Sequence, residues 1–271
     1  MELKPFFLPV GSGQRFCLYQ GPRSGTAKAG VLYLHPFAEE MNKSRRMVSL
    51  QARALAEHDY AVLQIDLHGC GDSSDDFGDA TWAGWQDDVI AGYNWLRNRV
   101  NAPIWLWGLR IGCLLASRTV DRLTDKPNLL FWQPVVSGKQ LLQQFFRLRL
   151  AGNLRSSGVR ESTEDLRNQL ALGEAIEIAG YRLGPELATG IDAAELVPTG
   201  DPRRVIWLEL SARAGAALAP AAQERIAQWQ AAGHDIQAQL VPGPAFWQTT
   251  EIEVAPMLIE ATMARMDAIY P

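Results

Sequence analysis

The residues with the most to say about chemistry sit in three short stretches. The first is Gly108-Leu109-Arg110-Ile111-Gly112, between the apolar runs 104–107 and 113–116. Glycines at both ends of such a five-residue corner let a strand turn sharply into a helix, with the central side chain standing clear of the sheet. A nucleophile is the useful occupant of that position, but the occupant is Arg110, whose guanidinium stays protonated and cannot attack a carbonyl. The second stretch is His35-Pro36-Phe37-Ala38-Glu39-Glu40, and the third is Asp66-Leu67-His68-Gly69-Cys70-Gly71-Asp72-Ser73. His68 and Cys70 could form a thiol-imidazole arrangement, although residues two apart in a glycine turn need not face each other and a buried, inert cysteine is the commoner case. His35, Glu39, His68 and Asp72 could meet at one edge. With no His-x-His or His-Glu-x-x-His signature among them, neither a metal nor another cofactor is expected.

These stretches need elements to position them. Apolar runs at 31–34, 61–67, 104–109, 128–132, 205–210 and 236–241 read as strands. Amphipathic stretches at 42–58, 81–99, 220–232 and 255–266 read as helices, the first with Met47, Leu50, Ala54 and Leu55 on one face. Residues 4–8 and 15–20 around Gly11-Ser12-Gly13 read as an antiparallel hairpin. Strands alternating with helices predict an α/β fold with a mostly parallel central sheet flanked by helices, whose ligands bind at the carboxyl ends of the strands. That rule gathers the three stretches at one edge, with Gln133 delivered there by the strand 128–132, and with Trp132 and Trp247 at strand ends as candidate pocket walls.

From 138 to 200 the pattern is helical and irregular, with an amphipathic run at 141–150 and a capping-box-like Ser162-Thr163-Glu164-Asp165. This predicts a helical cap inserted at 138–200 between core segments 1–137 and 201–271. A chain of 271 residues, 47% hydrophobic, is long enough to bury one such core. The net charge of −4 and the lack of a basic run argue against nucleic acid as a partner. Nowhere do about 20 apolar residues run together, and the first residues do not read as a signal peptide. Cys17, Cys70 and Cys113, odd in number and widely spaced, predict reduced thiols and a cytoplasmic location.

Taken in order, the three stretches resemble the motifs of the α/β-hydrolases: His35-Pro36-Phe37 the oxyanion loop after the third strand, Asp66 to Ser73 the glycine-rich loop after the fourth, and Gly108 to Gly112 the nucleophile elbow. More narrowly, residues 35–46, the 108–112 corner and Pro244-Ala245-Phe246-Trp247-Gln248 resemble the exosortase A system-associated hydrolases of the second type, over nearly the whole chain. The resemblance implies an α/β-hydrolase fold and a bacterial cytoplasmic protein belonging with a protein-sorting and exopolysaccharide system. It also makes His35, Phe37, Glu39, Glu40, Ile111, Asp72, Gln133, Phe246 and Trp247 oxyanion-like or pocket positions.

The triad does not carry over. Arg110 holds the nucleophile position, the acid position around 212–216 has no carboxylate, and the base position falls near Phe246, with no histidine after His234. Acyl transfer by this route needs all three in contact. Two functions follow: a degenerate hydrolase-fold protein that binds a small ligand or a pathway partner, or a hydrolase of an ester, thioester or acyl substrate using a non-standard site around His35, His68, Cys70 and Arg110. A buried guanidinium needs an anion. Arg110 is therefore expected to pair with Glu39 or Glu40, with Asp72 or a carboxylate or phosphate of a ligand as the alternatives.

Overall fold

A computed structural model of the chain describes residues 2–153 and 161–270. Side chains that alternate in burial build the hairpin β1 (Leu3–Val10) and β2 (Gly13–Gln20), turned by Gly11. The next strand, β3 (Ala29–Leu34), is buried along its whole length, as a strand covered on both faces must be. Helix α1 (Glu39–Glu57) starts three residues before the periodicity suggests, because Glu39 and Glu40 occupy its first turn, where acidic groups complement the helix dipole. Its apolar face carries Met47, Val48, Ala52 and Leu55. After β4 (Tyr60–Ile65), helix α2 (Trp82–Arg97) opens on Thr81, whose hydroxyl accepts the Gly84 N–H (2.9 Å). Then come β5 (Ile104–Leu109), α3 (Ile111–Thr119) and β6 (Asn128–Trp132).

The chain now leaves the sheet through α4 (Gly138–Asn153), α5 (Thr163–Ala171), a hairpin of β7 (Ile176–Ile178) and β8 (Tyr181–Leu183), and α6 (Pro185–Asp192). Residues 154–160 of the expected cap lie outside the described residues. The irregular part of this stretch holds the hairpin, turned at Ala179 and Gly180, both with positive φ. The Ser162 capping box forms, with reciprocal bonds to Asp165. The sheet resumes with β9 (Arg204–Ser211), α7 (Pro220–Ala231), β10 (Asp235–Pro242) and α8 (Pro256–Ile269).

The eight strands of the main sheet run in the order β1-β2-β4-β3-β5-β6-β9-β10, antiparallel at β1–β2 and β2–β4 and parallel beyond. One face is packed by α2, α3 and α7 through Trp85, Leu114 and Trp229, the other by α1 and α8 through Met47, Leu55 and Met266. Burying both faces holds the strands level, so that the loops after β3, β4, β5, β6 and β10 open on one edge.

The corner after β5 depends on two close approaches. A Cβ on Gly108 would lie 2.4 Å from the Cys113 nitrogen, and one on Gly112 would lie 2.2 Å from the Leu34 carbonyl oxygen, backbone atoms that cannot yield without moving α3 off the sheet. Gly112→Ala should therefore cost about 3 kcal/mol of unfolding free energy. Gly200→Ala, where nothing lies within 4 Å, should stay within about 0.5 kcal/mol. Urea denaturation of the two variants checks this, and equal midpoints would contradict it.

Candidate functional site

Arg110 stands at the corner with φ 57° and ψ −115°, a conformation that L residues avoid. Its N–H is held by the Trp132 carbonyl (3.0 Å), and its own carbonyl accepts the Cys113 N–H (3.1 Å). The corner thus keeps the strained geometry of an elbow around a residue that is not a nucleophile. The guanidinium is buried, and its Nε donates to Oε1 of Glu40 (3.2 Å). Trp247 offers its ring face, with the centroid 5.6 Å from Cζ. Glu209, on β9, is also buried and lies within the field of Arg110, while its Oε1 accepts the Trp207 indole N–H (2.7 Å). Burial raises both carboxyls above the usual carboxylate range; Arg110 partly offsets this at Glu40, and the Trp207 bond and then Arg110 do so at Glu209.

Glu40 therefore ties the elbow to the helix that follows the loop after β3. It also lines a cavity of ≈ 350 Å³ between α1 and α4. The apolar lining is Phe37, Leu141, Phe145 and Leu148; the polar lining is Glu39, Glu40, Lys43, Gln144 and Gln248. Phe37 and Phe145 meet edge to face with centroids 4.9 Å apart. Oε2 of Glu39 and Oε2 of Glu40 are buried without a hydrogen-bond partner in the protein. Sequence reasoning missed Lys43, Gln144 and Gln248. The spacing of Glu39 and Lys43, one helical turn apart, was the available signal for the first; the others had none.

The remaining expected site residues are placed elsewhere. His35 is a strap between two loops: the Leu67 N–H donates to its Nε2 (3.2 Å), so Nδ1 carries the proton and donates to the Pro36 carbonyl (2.8 Å). Burial lowers its pKa, which keeps the ring neutral. His68 bonds through Nε2 to Asp75 (2.9 Å). Cys70 is buried, with its thiol pKa pushed up by burial and then by Asp66, so the two make no activated thiol-imidazole pair. Asp72 is not a partner of Arg110, for its loop is folded onto Asp66: the Asp72 N–H donates to Asp66 Oδ2 (3.3 Å), and Asp66 is gripped by Arg45 (2.9 and 3.3 Å). Gln133 is spent on the sheet, its Oε1 accepting the Leu210 N–H (2.7 Å). Ile111 is buried in the core.

Trp132 and Phe246 do not line the cavity; they are fully buried on the α1 and α8 face, ring against ring at 6.3 Å. Trp247 is buried too and reaches the site only through Arg110, while Gln248 is the residue of that loop at the cavity. Of the other two histidines, His58 bonds Asp267 (2.8 Å) and His234 packs at a tilt against Trp229, with ring centroids 4.6 Å apart. None of the four is bonded to Arg110. Among the described residues no group of three or more His, Cys, Asp or Glu side chains is placed to hold a metal ion, and no helix is long and apolar enough to cross a membrane.

Solved structures share this architecture. Est1E from Butyrivibrio proteoclasticus, with ferulic acid bound, aligns with a TM-score of 0.69 at 13% identity over 97% of this chain and 98% of that one. A highly thermostable carboxyl esterase from Bacillus coagulans, in complex with glycerol, aligns at 0.65 with 14% identity over 99% of each chain. An α/β serine hydrolase without a lid from Xanthomonas campestris aligns at 0.57 with 17% identity over 99% and 95%. At these identities the likeness shows the α/β-hydrolase fold alone. No protein-family profile and no curated protein sequence matches the chain.

The ion pair carries a pH signature. A carboxyl whose pKa is higher folded than unfolded loses stability as pH rises from its unfolded pKa through the folded one. Removing Arg110 removes the group that holds the Glu40 pKa down, so Arg110→Met should cost about 3 kcal/mol at pH 8, where a buried carboxylate is left unpaired. At pH 5 the cost should be smaller, because a carboxyl whose pKa is raised takes up its proton earlier than an ordinary one as the pH falls. Adding Glu40→Gln to Arg110→Met should recover most of the loss at pH 8. Urea titrations at both pH values read this, and a cost independent of pH would refute it.

Proposed function

We propose that this protein is an α/β-hydrolase-fold binding protein that holds a small ligand in the cavity between α1 and α4, without Ser-His-Asp chemistry. The observation that carries this reading is the Arg110–Glu40 ion pair at the elbow (3.2 Å). It fills the place where a nucleophile would stand with a cation that cannot attack, and it holds that cation against the loop that would otherwise receive an oxyanion. The empty acid position at 212–216 and the buried Phe246 at the base position support it further. Residues 138–200 serve as the cap, with α4 supplying Leu141, Phe145 and Leu148 to the cavity. The motif resemblance at 35–46, 108–112 and 244–248 supports a cytoplasmic role beside an exosortase-linked protein-sorting and exopolysaccharide system, with a partner from that system.

A hydrolase with a non-standard site is the second reading, favoured by the esterase among the structures that share the fold. With His68 held by Asp75 and Cys70 buried, its acid and base would have to be Glu39 and Glu40, acting on a water rather than through a covalent enzyme intermediate.

The purified protein should take no label from a fluorophosphonate probe, read by intact mass, and should turn over p-nitrophenyl acetate and butyrate far below about 1 per second. Stoichiometric labelling of a serine with loss of activity would sink the proposal. Arg110→Ser should gain at most the roughly 10³ to 10⁴-fold over water that oxyanion donors give alone, since base and acid stay missing. Turnover near 1 per second from that one change would show a hidden triad.

A further inference from the structure

The cavity makes an unequal demand on whatever enters it. Its acceptors are buried: Oε1 of Glu40 takes the Nε–H of Arg110, while Oε2 of Glu40 and Oε2 of Glu39 have no donor in the protein. Its cations leave that need unmet. Arg110 gives its Nε–H to Glu40, and Lys43, one turn along α1 from Glu39, makes no ion pair among the described residues. A half-buried lysine on a flexible stem can hydrate its own ammonium, whereas a buried carboxylate oxygen with no donor carries an unmet hydrogen-bonding need. The opposite side of the space is apolar, with Phe37, Phe145 and Leu148 offering surface to an alkyl chain or ring. Two neighbouring carboxylates repel an anionic head, while of the nearby cations Arg110 is already committed to Glu40 and Lys43 is only half-buried.

We infer that the cavity takes an amphiphile whose head donates N–H or O–H hydrogen bonds to Glu39 and Glu40, whose tail lies on Phe37, Phe145 and Leu148, and that it rejects an anionic head. This deepens the ligand-binding reading and rests on it. An amine and a polyol share the donor chemistry, and the two are separated by experiment.

Isothermal titration calorimetry of the wild-type protein with octylamine, octyl glucoside below its micelle concentration, and sodium octanoate tests the inference with one tail and three heads. At least one donor head should bind about tenfold or more tighter than octanoate; octylamine as the better ligand makes the natural head an amine, octyl glucoside makes it a polyol. Glu39→Gln should weaken the better donor about fivefold or more and leave octanoate unchanged or improved. Octanoate binding as tightly as both donors overturns the inference, as does the absence of heat from all three at millimolar concentration. The wild-type ranking stands even if the variant does not fold. Hydrolysis of p-nitrophenyl esters, which would defeat the non-catalytic reading, is measured separately and leaves the ranking of heads to be read as it is.

Discussion

A single approach of backbone to backbone sets the terms for this molecule: the start of α3 passes so close to the end of β3 that residue 112 has no room for a side chain against the Leu34 carbonyl. Everything at the site follows from that contact. It fixes the entry angle of α3, and the entry angle forces residue 110 to positive φ and raises its side chain over the carboxyl edge of the sheet. The two buried faces hold the strands level beneath it, so that the loops after β3, β4 and β10 arrive at the same place.

Placing a guanidinium there changes the electrostatic problem. A serine at such a corner needs a neutral base nearby; an arginine needs an anion, since an unpaired buried cation is among the costliest defects a fold can carry. Glu40 supplies it from the first turn of α1, Glu209 adds field from β9, and the face of Trp247 covers the guanidinium. The pair is single-toothed and leaves one oxygen of Glu40 unsatisfied, so the electrostatics are balanced in charge and not in hydrogen bonds. That imbalance lies beside the apolar lining of the cavity.

Much of this could be read from the chain. The continuous apolar strands 31–34 and 128–132 were legible because a strand covered on both faces has no polar alternation to blur it, and the corner was legible because two glycines flank a residue of the wrong chemistry. The anion for Arg110 was legible as a choice among Glu39, Glu40 and Asp72, since pairing is an energetic necessity, but the choice itself depends on helix phase and so needed coordinates. Asp72 was lost to Asp66 and Arg45, a competition between loops that one-dimensional spacing does not encode. The β7–β8 hairpin was hidden because strands of three residues show no measurable period, although Ala179-Gly180 carried the turn. Trp132 was assigned to the pocket from its place at a strand end and Phe246 from the motif resemblance, whereas both are buried on the α1 and α8 face, where they pack on each other.

The imidazole that joins the loops after β3 and β4 has a further meaning. His35 works only as a neutral ring, since one nitrogen must accept the Leu67 amide while the other donates to Pro36. Protonation turns the acceptor into a donor and sets two N–H groups against each other in a buried space, and burial defers that event to pH values below the ordinary range for histidine. The loops after β3 and β4 are thus joined through a ring that must stay neutral to make both bonds, whereas the parallel strands beneath are joined by backbone bonds that no proton disturbs.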